Sequence, residues 1–99
     1  MAAYIVVDVE IKDMEQYKSS GYIENVPKIV AKYGGRYLAR GGATKVHEGV
    51  WQPRRLVIIE FPSMAKLEEF YNSEEYAPYL AIRKKLADSN LIAIEGLPT

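Results

Sequence analysis

Asp8, Arg40, His47 and Glu60 are the residues of this chain whose types suit proton transfer or the holding of an anion. Two carboxylates brought close repel one another. One pKa then rises, and the pair can divide general-acid and general-base work. Asp8 follows the β-branched run Ile5-Val6-Val7 and Glu60 follows Val57-Ile58-Ile59, so each falls near a strand end. Read as adjacent parallel strands, these two segments bring the carboxylates together on one face. Arg40, on a neighbouring strand, would neutralise them in a structural ion-pair cluster or grip an anionic substrate through its two-pronged guanidinium. His47 is the single histidine, so an imidazole base or a haem ligand has no other source.

A second group suits ligand binding. Gly41-Gly42 interrupts a strand-like segment, which marks a bulge or a place where something approaches the backbone. Trp51 lies in a loop, where it would cover a pocket, reach across a dimer or anchor the loop to its own core. Arg54 and Arg55 suit a carboxylate or phosphate, or an exposed strand start. Tyr71, Tyr76, Tyr79 and Arg83 share one helical region, where they line a small-molecule cavity against the sheet or pack with hydroxyls at its rim. Tyrosine stands out in the composition, with 8 residues against 1 Trp and 2 Phe, and it suits wet pockets and interfaces.

Several chemistries are excluded. There is no cysteine, hence no disulfide, thiol nucleophile or thiolate metal site. No His/Asp/Glu set has metal-ligand spacing, and no motif calls for a cofactor. The glycine pairs lack the Lys-Ser/Thr ending of a P-loop and the strand-turn-helix order of a dinucleotide fingerprint. No Gly-x-Ser-x-Gly elbow occurs. Thirteen basic and 13 acidic residues cancel, without a charge run, so the footprint of a nucleic-acid binder is missing. No apolar stretch is long enough to span a membrane. Without a basic-then-apolar leader or cysteine, the chain reads as cytoplasmic.

These residues must be positioned by one domain over the 99 residues. Residues 3–11 alternate as a strand, with Ile5, Val7, Val9 and Ile11 on one face and Tyr4, Val6, Asp8 and Glu10 on the other. Asp13, with Gln16 three residues on, opens a helical region to about 33. Gly21 and Pro27 interrupt that region, and Asn25 is a second candidate cap. Residues 36–48 read as a long strand broken at the glycine pair, with Tyr37 and Ala39 on one face and Arg36, Leu38 and Arg40 on the other. A short turn-rich loop leads to a strand over 54–61, paired as an antiparallel hairpin. Ser63 caps a helix ending near Asn72, and Ser73 caps a second stretch in which Tyr76, Tyr79, Leu80, Arg83 and Leu86 recur at helical spacing. Asp88-Ser89-Asn90 reads as a turn before a last short strand, 91–95.

The order β-α-β-β-α-β predicts an α+β, ferredoxin-like domain with a four-stranded antiparallel sheet and helices on one face. Tyr4, Val6, Leu56 and Ile58 then lie on the opposite face, too apolar to leave in water. A second copy packed sheet to sheet, as a homodimer, would cover them.

The segments 33–42 (Tyr-Gly-Gly-Arg-Tyr-Leu-Ala-Arg-Gly-Gly), Glu48-Gly49-x-Trp51-x-Pro53-x-Arg55, Glu60-Phe61-Pro62-Ser63 and Tyr71-x-Ser73-x-x-Tyr76 resemble the domain-of-unknown-function 1330 family. The resemblance extends over nearly the whole chain, and His47 lies outside its pattern. It implies a dimeric α/β-barrel of ferredoxin-like subunits and no settled activity. Sister families of that barrel include cofactor-independent monooxygenases, lactone isomerases and haem-binding enzymes. The expectation is therefore a homodimeric small-molecule enzyme of the cofactor-independent oxygenase or isomerase type, its site inside the barrel. The alternative is a non-catalytic dimer that binds a ligand or partner. RNA binding on the open sheet fails, because Leu56, Ile58 and Glu60 offer no aromatic platform for bases.

Overall fold

A computed structural model describes residues 1–98. Its elements are β1 (Ala3–Ile11), α1 (Met14–Ser19), α2 (Tyr22–Lys32), β2 (Arg36–Arg40), β3 (Leu56–Phe61), α3 (Met64–Tyr71), α4 (Ala77–Leu86) and β4 (Ala87–Glu95). The four strands form one sheet in the order β2-β3-β1-β4, with every neighbouring pair antiparallel. The architecture is the ferredoxin-like α+β arrangement, with the helices packed on one sheet face.

β1 fixes the inner face. Ala3, Ile5, Val7 and Val9 alternate inward and are buried, and they meet Val57, Ile59 and Phe61 of β3. Val26 and Val30 of α2 and Leu67 and Phe70 of α3 close the core from above. The helix starts follow side-chain oxygens: Asp13 Oδ1 accepts from the Gln16 N–H at 3.1 Å, and Ser63 Oγ from the Lys66 N–H at 3.2 Å. α2 ends in a Schellman turn. Gly34 takes φ +81°, its N–H donates to Ala31 O at 3.0 Å, and the Gly35 N–H donates to Val30 O at 2.9 Å.

Four expectations are corrected. β1 and β3 are adjacent but antiparallel, with Asp8 opposite Leu56 and Tyr4 opposite Glu60. The α1–α2 crossover makes β2 run parallel to β1, and β3, reversed relative to β2 after the 41–55 loop, inserts between them and so is antiparallel to both. β2 ends at Arg40 and not near 48, because Gly41 turns away at φ +69°; residues 41–55 form a loop without strand pairing. Asp88-Ser89-Asn90 is strand and not turn. All of β1 pairs with β4, from Ala3 with Glu95 to Ile11 with Ala87, so ladder hydrogen bonds override the turn propensity of those residues. The first helical region divides at Ser20-Gly21, as Gly21 predicts, but α2 runs on through Pro27 and Asn25 does not cap it; the Asn25 side-chain amide donates to Gly21 O at 2.9 Å, inside α2.

A methyl on Gly35 would stand 2.7 Å from both Phe61 Cε1 and Val30 Cγ1. Gly35→Ala is expected to lower unfolding stability by about 1–3 kcal/mol through overpacking, read as a reduced urea midpoint at unchanged m-value.

Candidate functional site

A cavity of ≈ 60 Å³ opens between the inner sheet face and the helices. Its floor is apolar, built from Ile5 and Val7 of β1, Val57 and Ile59 of β3 and Phe70 of α3, because the inward positions of β1 and β3 are apolar throughout. Its polar groups are phenols and guanidiniums: Tyr17, Tyr22, Tyr37, Tyr71 and Tyr76, with Arg40, Arg55 and Arg83.

The three arginines arrive by different routes. Arg83 lies on the core-facing stripe of α4, seven residues after Tyr76, and is only 5% exposed. Its Nε is buried without a hydrogen-bond partner. Arg55 immediately precedes β3, where it shares the inner face with Val57, and is half-buried. Its guanidinium crosses Gly41 so closely that a Cβ there would stand 2.7 Å from Nη1. Arg40 reaches the cavity through a bulge. Tyr37 pairs with Ile59 and Ala39 with Ile58, leaving Leu38 unpaired, so the alternation slips by one. Arg40 is thereby turned to the face of Tyr37 and not to that of Arg36, correcting the sequence reading. Its Cζ sits 5.0 Å from the centre of the Tyr37 ring, and its exposure puts it at the rim.

None of these cations has a carboxylate partner among the described residues. The ion pairs there are Lys12–Asp88, Lys32–Glu75, Arg36–Glu60 and Lys66–Glu69. The cavity lining also holds neither carboxylate nor histidine. Burial opposes the charge on Arg83, but the hydroxyl oxygens of Tyr76 and Tyr22 around it favour the cation and hold its pKa above the ordinary value. Tyr22 and Tyr76 share a hydroxyl–hydroxyl hydrogen bond of 2.8 Å. Burial pushes the Tyr17 phenol up to about 12 against the pull of Arg83, and Tyr37 up to about 12 against that of Arg40; Tyr22 is pushed up as well. At neutral pH these three phenols keep their protons. The lining therefore offers positive charge and O–H donors, which suits binding and stabilising an anion.

The remaining sequence candidates lie elsewhere. Asp8 and Glu60 point to the outer sheet face at opposite ends of the β1–β3 ladder and do not meet. Asp8 accepts from the Trp51 indole N–H at 3.0 Å through Oδ2, and from the backbone N–H groups of Arg54 and Arg55 at 2.8 and 3.3 Å through Oδ1. Burial would raise its pKa, but those donors outweigh burial and hold it below the usual value. Trp51 is 60% exposed and outside the cavity lining. Glu60 Oε1 accepts from Arg36 Nε at 2.7 Å, which holds its carboxyl low. His47 stands exposed in the 41–55 loop, and Gly42 has open space around it. Of the tyrosine and arginine group, Tyr71, Tyr76 and Arg83 do converge.

Sequence reasoning missed Tyr17, Tyr22 and Tyr37 as lining residues. Tyr37 was legible as an inward strand position. Tyr17 and Tyr22 fall on either side of the Gly21 break, which destroys the single helical stripe that would have aligned them. The rings nevertheless meet across it, tilted by 37° with centroids 5.1 Å apart.

Known structures share this fold. A protein of unknown function from Rhodopseudomonas palustris superposes with a TM-score of 0.75 at 20% identity, over 99% of this chain and 84% of that one. SnoaB, a cofactor-independent oxygenase from Streptomyces nogalater, superposes with a TM-score of 0.66 at 10% identity, over 99% and 95%. An antibiotic biosynthesis monooxygenase does so at 0.60 and 17% identity, over 99% and 100%. The protein is thus a ferredoxin-like domain of the type found in oxygenases and in proteins of unknown function. No curated protein matches its sequence. It belongs to the family described as domain of unknown function DUF1330, whose model matches residues 2–97.

Asp8 ties the 41–55 loop to the sheet, and its depressed pKa sets when that tie holds. Anchoring is complete above about pH 4, the ordinary carboxyl value, and is lost as pH falls through the lower native value. Asp8→Asn is expected to reproduce the low-pH state at neutral pH, changing the emission of the sole tryptophan and exposing the loop to proteolysis. A variant whose Trp51 emission and loop proteolysis at neutral pH match those of the parent would remove Asp8 as the anchor.

Proposed function

We propose that the protein is a homodimeric small-molecule enzyme acting without a cofactor, of the oxygenase or isomerase type, with the helix–sheet cavity as its site. The observation that carries this reading is the convergence of Arg40, Arg55 and Arg83 on an apolar-floored, phenol-lined cavity with no carboxylate to neutralise them. Buried or half-buried cations without partners are costly, and a bound anion removes that cost. Cofactor-free oxidation and isomerisation by proton transfer both develop negative charge on a deprotonated substrate, and donors placed where that charge develops are the usual largest source of rate enhancement. Asp8, Glu60 and His47 supply no base inside the lining, so their part would be at the loop and the outer face. The fold likeness to a cofactor-independent oxygenase is in keeping with this chemistry but is analogy.

The dimer reading rests on the outer sheet face. Ile92 and Ile94 of β4 are 61% and 54% exposed beside half-buried Val6 and Tyr4 of β1, while Leu56 and Ile58 continue the apolar surface on β3. Such a contiguous patch is what a second copy covers. Ile92→Glu is expected to shift native mass spectra from dimer to monomer; a monomeric parent protein would sink the dimer.

Catalysis is tested in D₂O with a panel of enolisable ketones and hydroxyarenes. Protein-dependent deuterium uptake at the acidic carbon, lost in Arg55→Met, is the expected result. Saturable binding without any exchange across the panel would favour the non-catalytic ligand-binding dimer.

A further inference from the structure

The cavity has polar groups of one kind, and that restricts its ligand. We infer that it takes a flat organic molecule as a delocalised oxyanion, of phenolate or enolate type, with the charged oxygen beside Arg83 and the hydroxyls of Tyr22 and Tyr76. This rests on the reading of the cavity as the site. Arg83 is a buried side chain whose Nε lacks any partner, an unusual and expensive state for a guanidinium. A neutral ligand would leave that cation uncompensated. A single charged oxygen accepts from Arg83 and from a phenol at once, which matches one free guanidinium nitrogen beside a hydroxyl pair. The ≈ 60 Å³ of the cavity takes only the oxygen-bearing end of such a molecule, against the aliphatic floor of Ile5, Val7 and Ile59 and the ring of Phe70, so the rest of its planar body lies in the opening at Arg40. The lining lacks an ionisable group poised to take a proton near neutral pH, since its three shifted phenols all titrate high and the remainder of its charge is guanidinium. The site therefore selects and holds the deprotonated form of an acidic substrate, with solvent receiving the proton.

Two chromophoric acids test this directly: 4-nitrophenol for the phenolate source and 1-phenylbutane-1,3-dione for the enolate source. Each absorbs differently when ionised, so its pKa is read on and off the protein. The expected result is binding with the pKa of at least one probe lowered by about one unit, an approximately tenfold preference for the anion; the probe with the larger fall names the source. Arg83→Met is expected to abolish the fall while keeping or raising the thermal midpoint, because an apolar side chain replaces an unpaired buried charge. If that variant does not fold, Arg40→Gln at the rim is expected to reduce the fall. Binding with an unchanged or raised probe pKa overturns the oxyanion assignment and leaves the cavity as a small-molecule site. Failure of both probes to bind overturns the cavity reading as well.

Discussion

The structure depends on β1 being paired along both edges. Its neighbours β3 and β4 run antiparallel to it, and between them they satisfy its backbone over its length. A strand held on both sides can be twisted but not slipped, since a one-residue shift would turn Ile5, Val7 and Val9 out of the core. That fixed register decides the rest. It extends β4 back to Ala87, directly off the end of α4, and so pins the helix that carries Arg83. It also places Asp8 opposite Leu56, where the carboxylate reaches the start of β3 and the loop before it.

Much of this was legible in the sequence, and what was not has identifiable causes. Alternation in residues 3–11 and 56–61, the caps at Asp13 and Ser63 and the stripe Val26-Val30 are local signals that agree with the final packing. Strand direction is not local, so the notion of Asp8 and Glu60 as neighbours failed with it. The Leu38 bulge is invisible to a strict period of two, and it alone decides whether Arg40 faces solvent or cavity. The Gly41 signal was present, and Arg55 of the same chain approaches that backbone. Arg83 was readable as an arginine at a core-facing helical position, the kind of local inconsistency that tends to mark a site.

A buried arginine without a carboxylate is tolerable here because tyrosines surround it. Phenol oxygens partly replace the lost hydration of the cation, and their rings pack as core: Tyr76 lies against Phe70 with centroids 4.5 Å apart while its hydroxyl meets Tyr22. An aspartate in the same place would neutralise Arg83 and bar an anion from the cavity. Tyrosine gives the solvation without the charge. The abundance of tyrosine thus has a physical reading in the local chemistry of α1, α2 and α4.

The two sheet faces are coupled through one short stretch of backbone. Asp8 accepts the N–H groups of Arg54 and Arg55 on the outer face, while the Arg55 side chain passes Gly41 to enter the inner one. The Val9 N–H also donates to Arg55 O at 3.0 Å, so both backbone polar groups of Arg55 are held by β1. A guanidinium on a long stem loses much rotamer freedom when it is ordered. Fixing its backbone from the opposite face lowers that entropic cost before any ligand arrives. Asp8 therefore matters to the cavity without touching it, through the position of Arg55. This is why a carboxylate on the far side of the sheet, away from its expected partner Glu60, still belongs to an account of the site.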